Sequence, residues 1–304
     1  MRTLLDWLLF PLLAFVPVTL AIRFAAPDPT TPELVRNRFE DMSLLFVLII
    51  LSYTAIALLE RARPHRPGWL VSQGDVPADT LHLLLTGPVA GPLGLLMASC
   101  LVFLLHPWWP VTPGSGPWPS HWPAALQVAL ALVLAEFGHY WFHRLSHQHP
   151  WVWRLHAVHH SAPRLYWLNA TRFHPLDLLS LSACQSLPLV LLGIPPRTFF
   201  LYTVFASCYG QLQHGNIALR TAGFDWLFST PLLHRWHHSV DPREGNTNYG
   251  AIVNLWDLLF GTYRRPASGE FTGAIGVQGM PRFPRDYGSH LLVPWRWDHV
   301  PRDR

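Results

Sequence analysis

The hydrophobic pattern along this chain is made of long blocks rather than short alternations. Leu4–Ile22 is almost uncharged and long enough to cross a bilayer as a helix. Its apolar part is too long for a signal peptide, and no small-residue cleavage site follows it. Ser43–Leu59 forms a second block. Thr80–Leu105 is a third, interrupted by Gly87-Pro88-Val89-Ala90-Gly91-Pro92. Two prolines there predict a kink or a break, as one bent span or a re-entrant hairpin. His106–Pro123, rich in Pro and Trp and without charge, reads as a loop. Ala124–Phe137 returns as a fourth span. Leu176–Ile194 and Thr198–Gln213 predict an apolar hairpin around Gly193-Ile194-Pro195-Pro196, with Arg197 at its tip suggesting a shallow insertion. After Phe228 the chain is polar, and nothing beyond Arg265 shows strong periodicity. No internal repeat or low-complexity tract interrupts this pattern. It predicts an all-α protein, a polytopic membrane helical bundle with a cytoplasmic cap. Residues 1–123 read as an N-terminal transmembrane region, 124–265 as a region holding the fourth span and the apolar hairpin, and 266–304 as a C-terminal cytoplasmic tail, all integrated in one domain.

Composition agrees with the membrane reading. Half of the residues are hydrophobic and only 13% are charged, against about a quarter in ordinary soluble domains. The positive charge is carried by arginine alone. Three arginines within Arg61–Arg66, and Arg144, Arg154, Arg164 and Arg172 after the fourth span, assign those segments to the cytoplasm. A multi-pass protein of the cell inner membrane follows. No basic stripe interleaved with aromatics is present, which excludes nucleic acid as a partner. The three cysteines lie apart in apolar stretches and form neither a disulfide framework nor a thiolate site.

Histidine is the anomaly: there are 18 in 304 residues, mostly between Arg144 and Ser239. His143 and His147 form an HxxxH. His156, His159 and His160 form an HxxHH, and His234, His237 and His238 form another. On a helix, positions i, i+3 and i+4 share one face, so each group projects two or three imidazoles into one small volume. Helices from distant parts of the chain must converge to complete a coordination shell. Eight imidazoles exceed the needs of one ion and imply two. All-nitrogen ligation favours iron, zinc, copper or nickel over magnesium or calcium. Three readings stay open on this pattern: an oxidase, a metal-binding membrane transporter, and a zinc-loaded hydrolase on the same scaffold. A transporter predicts ionisable residues within the spans, whereas the clusters lie beyond the span ends.

The segment Glu136-Phe137-Gly138-His139-Tyr140-Trp141-Phe142-His143-Arg144, continuing through Trp153-Arg154-Leu155-His156 to His160-Ser161, resembles the first two histidine boxes of the fatty acid hydroxylase/sterol desaturase superfamily. Arg172-Phe173-His174-Pro175-Leu176-Asp177 is similar to a turn of that family. His234–His238, followed by Asn248-Tyr249-Gly250 and Trp256-Asp257 to Tyr263, is similar to its third box and tail. The resemblance covers roughly residues 124–265 and is specific for the superfamily rather than for one member. It implies a membrane-bound oxidoreductase in lipid metabolism, with a di-iron centre that uses dioxygen to hydroxylate or desaturate a C–H bond of a sterol, fatty acyl chain or related lipid. Zinc can replace iron in isolated protein of this kind. His143, His147, His156, His159, His160, His234, His237 and His238 carry over as ligands. His214 carries over as a ninth, being placed where the family has a lone histidine. His139 and His174 are weaker candidates for ligation. Glu136, Asp177, Asp225, Asp241, Asn248 and Asp257 are candidates for bonding to the outer nitrogens of ligand imidazoles. His65, His82, His106, His121, His149, His290 and His299 fall outside the boxes and read as structural. The chain has no haem, flavin or iron–sulfur motif. Besides lipid and dioxygen, it then needs an external electron donor: a reductase, ferredoxin or cytochrome.

Overall fold

The computed structural model describes residues 4–25, 34–221, 223–266 and 270–303. It is all-α, and among the described residues no sheet forms, only three isolated bridges. Among the described residues, four helical stretches are long and apolar enough to cross a membrane. The first two are α1 (Leu4–Phe24) and α2 (Leu34–Ala62). The third, Val76–Leu105, combines α3 (Val76–Leu81), a π turn (His82–Thr86) and α4 (Gly87–Leu105). The fourth is α5 (Ala124–Gln148). Many of their large side chains face outward, as lipid-facing helices require: Phe46, Ile50, Leu84 and Phe103 are all exposed.

The glycine–proline centre of the third stretch neither breaks it nor turns it back. The Gly87 amide bonds to the carbonyl of His82, five residues back. This wider turn immediately precedes Pro88, which has no N–H to donate and stands in the first turn of α4. The helix then continues past Pro92.

Helix α5 runs eleven residues beyond Phe137, so the first histidine box continues the fourth span without a joint. Helix α6 (Pro150–His160) follows and carries the second box. The apolar hairpin is α7 (Pro175–Leu191) and α8 (Pro196–His214). Neither is among the four membrane-length helices of the described residues. Short elements complete the cap: α9 (Pro231–His237), α10 (Pro242–Gly245), α11 (Leu255–Leu259) and α12 (Tyr287–Leu292).

In lipid, helices gain little from hiding apolar surface, and close backbone packing at small residues holds them instead. A Cβ on Gly138 of α5 would stand 1.8 Å from the carbonyl oxygen of Cys184 in α7. A Cβ on Gly94 of α4 would stand 2.5 Å from the Leu179 carbonyl of the same helix. Helix α7 is thus clamped between α4 and α5. On the other side, Phe10 of α1 packs against Tyr209 of α8, and Val128, Ala131 and Leu132 of α5 join the same core.

Residues 270–303 are packed despite their weak periodicity. Val277, Met280, Phe283, Val293 and Val300 bury against Ala157 and Val158 on α6. Period-based reading misses this segment because it contributes isolated apolar anchors from turns. Its far end is pinned by a buried histidine pair: His82 Nε2 lies 3.0 Å from His290 Nδ1, and His290 Nε2 donates to the Pro284 carbonyl.

Candidate metal centre

Each histidine box reaches the centre on its own element. The boxes on α5 and α6 follow each other through the turn at His149-Pro150, whose proline starts α6. The third box is α9 and its cap residue His238, started by Pro231. His214 is the last residue of α8. All nine histidines converge into two abutting groups. His143, His147, His156, His160 and His237 form one, and His159, His214, His234 and His238 the other. Within each group the ligand atoms lie within 4.8 Å of one another. The groups meet where His160 stacks on His238, ring centroids 4.4 Å apart.

Hydrogen bonds decide which ring nitrogen faces inward. His143 Nδ1 donates to the Tyr249 carbonyl at 2.7 Å, His159 to that of Arg172 at 3.2 Å and His237 to that of Thr247 at 2.8 Å. His156 Nδ1 donates to Asp177 Oδ2 at 2.8 Å. His147 and His214 donate to the side-chain oxygens of Asn246 and Asn169, at 3.0 and 2.8 Å. These partners are acceptors, so the proton sits on Nδ1 and the Nε2 lone pair is free. The Nε2 atoms of His143, His147, His156, His160, His214 and His237 are buried with no hydrogen-bond partner. Leaving so many polar atoms unpaired costs about 1–3 kcal/mol each, unless something binds them. His238 Nε2 stands 3.2 Å from His159 Nε2 and 3.1 Å from His234 Nε2. Metal–nitrogen bonds of about 2.0–2.1 Å set ligand nitrogens at about that spacing. The donor set therefore fits a di-metal centre. Burial acts in the same direction, since it holds His159, His160, His234, His237 and His238 well below the ordinary imidazole pKa and His214 at about 3. Neutral imidazole is the form that binds metal.

His139 and His174 lie outside both groups. His139 packs edge-on to His143, with its Nδ1 3.1 Å from Gln185 Nε2. His174 caps α7, accepting from the Leu176 amide, and its Nε2 donates to the Leu291 carbonyl. Of the six outer-bond candidates, Asp177 alone bonds a histidine of the centre. Asp257 acts at one remove, accepting from the Tyr249 and Gly250 amides and so fixing the carbonyl that holds His143. Glu136 accepts from the Ala251 and Ile252 amides, Asp225 pairs with Thr230 and Arg265, and Asn248 ties to Arg264. Asp241 caps α10 and pairs with Arg243. Asn169 and Asn246 were not legible as partners. They sit in turns, and no spacing ties either to its histidine.

Comparison with known proteins gives the arrangement a lineage. The fatty acid hydroxylase family model matches residues 128–262. The ornithine lipid hydroxylase OlsE of Rhizobium tropici is 42% identical over 260 residues, which cover 84% of this chain and 77% of that protein. Alkylglycerol monooxygenase of Danio rerio is 33% identical over 147 residues, covering 48% of this chain and 32% of its own length. The Delta(7)-sterol 5(6)-desaturase erg3B of Aspergillus fumigatus is 31% identical over 165 residues, covering 51% of this chain and 43% of its own. No solved structure matches the chain. The paired histidine groups, the membrane-length helices and these relatives agree on a membrane-bound, iron-dependent oxidoreductase of the lipid hydroxylase and desaturase type, and the chain belongs to the fatty acid hydroxylase family.

Proposed function

We propose that this protein hydroxylates an ornithine lipid or a closely related amino-acid-bearing membrane lipid, with all nine histidines as iron ligands. The observation that carries the site assignment is the set of buried Nε2 lone pairs in two groups. The substrate class rests on the 42% identity to an ornithine lipid hydroxylase across most of both chains. His143, His147, His156, His160 and His237 would hold one iron, and His159, His214, His234 and His238 the other. When bound, the iron pair supplies the activation of dioxygen. The chain's own residues orient and insulate it. Asp177 retains the Nδ1 proton of His156, and the Tyr249, Arg172 and Thr247 carbonyls do the same for His143, His159 and His237. In this reading His139 and His174 serve packing and capping rather than ligation. The centre faces the cytoplasm at the inner membrane, a placement supported by the arginines of 61–66 and 144–172. A separate soluble or membrane-bound donor supplies the electrons.

Comparative lipid mass spectrometry of cells with and without the protein tests this reading. Ornithine lipids gaining one oxygen, and losing that species in the His159→Ala variant, is the expected result. Loss of two hydrogens instead would assign desaturation. An oxygenated species that persists in His159→Ala contradicts the metal-site assignment.

A further inference from the structure

The two histidine groups differ in their access to solvent. A cavity of about 260 Å3 opens onto the five-histidine group, with His147, His160 and His237 on its inner wall and Asn246 and Gln278 on its rim. Both rim residues are exposed, and His147 is the one histidine of the nine that is not fully buried. No member of the four-histidine group lines this cavity. That group is sealed instead: Phe173 stacks on His159 with ring centroids 4.1 Å apart, and Asn169 closes over His214. The buried Arg235 guanidinium, next in sequence to His234, donates to the carbonyls of Gly215 and Ile217, just after His214.

The outer wall of the cavity is a fixed structure rather than a gap between loose loops. The Gly276 amide donates to the His238 carbonyl, and the Val240 amide to that of Ala274. Val277 and Met280 are anchored in the apolar cluster on α6. A bound ion leaves by exchanging imidazole for water or another ligand, so its rate of exchange follows the access of solvent to its shell.

We infer that the mouth between residues 239–246 and 276–280 is the port through which metal enters and leaves, and that it serves the five-histidine site. The ion of that site exchanges with solution, whereas the ion of the four-histidine site is trapped behind it. This inference rests on the di-metal reading, but on neither the identity of the metal nor the reaction.

The test is metal release from the full-length protein, purified in detergent with two ions per chain, into excess 4-(2-pyridylazo)resorcinol, which reports iron and zinc alike. Two phases of one ion each are expected, separated by roughly tenfold or more in rate. Gln278→Trp, at an exposed position on the rim, should slow the fast phase several-fold and leave the slow phase and the total metal unchanged. Gln278→Ala should speed the fast phase, and unchanged melting of both variants shows that the fold is intact. A single phase releasing both ions, or a fast phase indifferent to both variants, overturns the port. Fewer than two ions per chain overturns the port and the di-metal reading together. Two phases carrying zinc instead of iron support the port equally, since it does not depend on which metal fills the sites.

Discussion

At the residue scale, the direction of each imidazole depends on a bond made at its far nitrogen. Asp177 is the clearest case, being a fully buried carboxylate whose Oδ2 accepts a hydrogen bond from His156 Nδ1. Asp177→Ala should lower metal affinity by about 10–100-fold, the usual cost of losing such a partner, as read by competition with a chelator. Unchanged affinity would show that His156 is held by packing alone. Eight of the nine histidines were legible from spacing, because helical periodicity converts i, i+3, i+4 into a shared face, and His214 from the family resemblance alone. Asn169, Asn246 and the Tyr249, Thr247 and Arg172 carbonyls were not. A carbonyl carries no residue-type signal, and a turn asparagine looks the same whether it caps, solvates or orients.

Among elements, α5 and α7 place the first box against the second. Their contact at Gly138 and Cys184 leaves no room for a methyl group. Gly138→Ala should force the helices apart, at a cost of about 1–3 kcal/mol or more. It should also shift His143 away from the Asp177–His156 pair, with reduced metal content beside the lower melting temperature. A variant with normal melting and full metal content would show that the helices slide without disturbing the centre. Helix α3, just before the π turn, plays a similar part on the other side. Asp79, in α3, accepts from the Arg172 guanidinium and from the Tyr166 hydroxyl, and the Arg172 carbonyl holds His159. Asp79→Ala leaves a buried guanidinium unpaired and should destabilise the protein by roughly 3–5 kcal/mol, measured by thermal unfolding in detergent. The four spans were legible from block hydrophobicity. The π turn was not, because the same Gly-Pro sequence serves a break, a kink or a bulge, and packing against α7 selects among them.

For the whole molecule, one consequence of burying so many imidazoles is a dependence of stability on pH. The folded state holds His159, His160, His214, His234, His237 and His238 below their ordinary pKa, chiefly by desolvation. The unfolded chain therefore binds more protons as pH falls below about 6.5. Metal-free protein should be most stable above that value and lose stability steadily towards the folded-state values, near 3 for His214. Melting temperatures of the metal-free protein between pH 7.5 and pH 5 (values on the order of the histidine range) should fall with acidity, and bound metal should blunt the fall. A flat profile would mean that the apo histidines are already hydrated. Packing of residues 277–300 against α6 belongs to this scale too, and it escaped the sequence because its anchors have neither helical nor strand spacing. The central claim is that nine imidazoles from four stretches of chain enclose a pair of metal ions. X-ray absorption at the iron edge, with total metal analysis on the iron-reconstituted protein, tests it most directly. The account predicts two irons per chain in a nitrogen-dominated shell at about 2.0–2.2 Å, with His214→Ala losing occupancy at the four-histidine site. One iron per chain, or a shell dominated by sulfur, would contradict it.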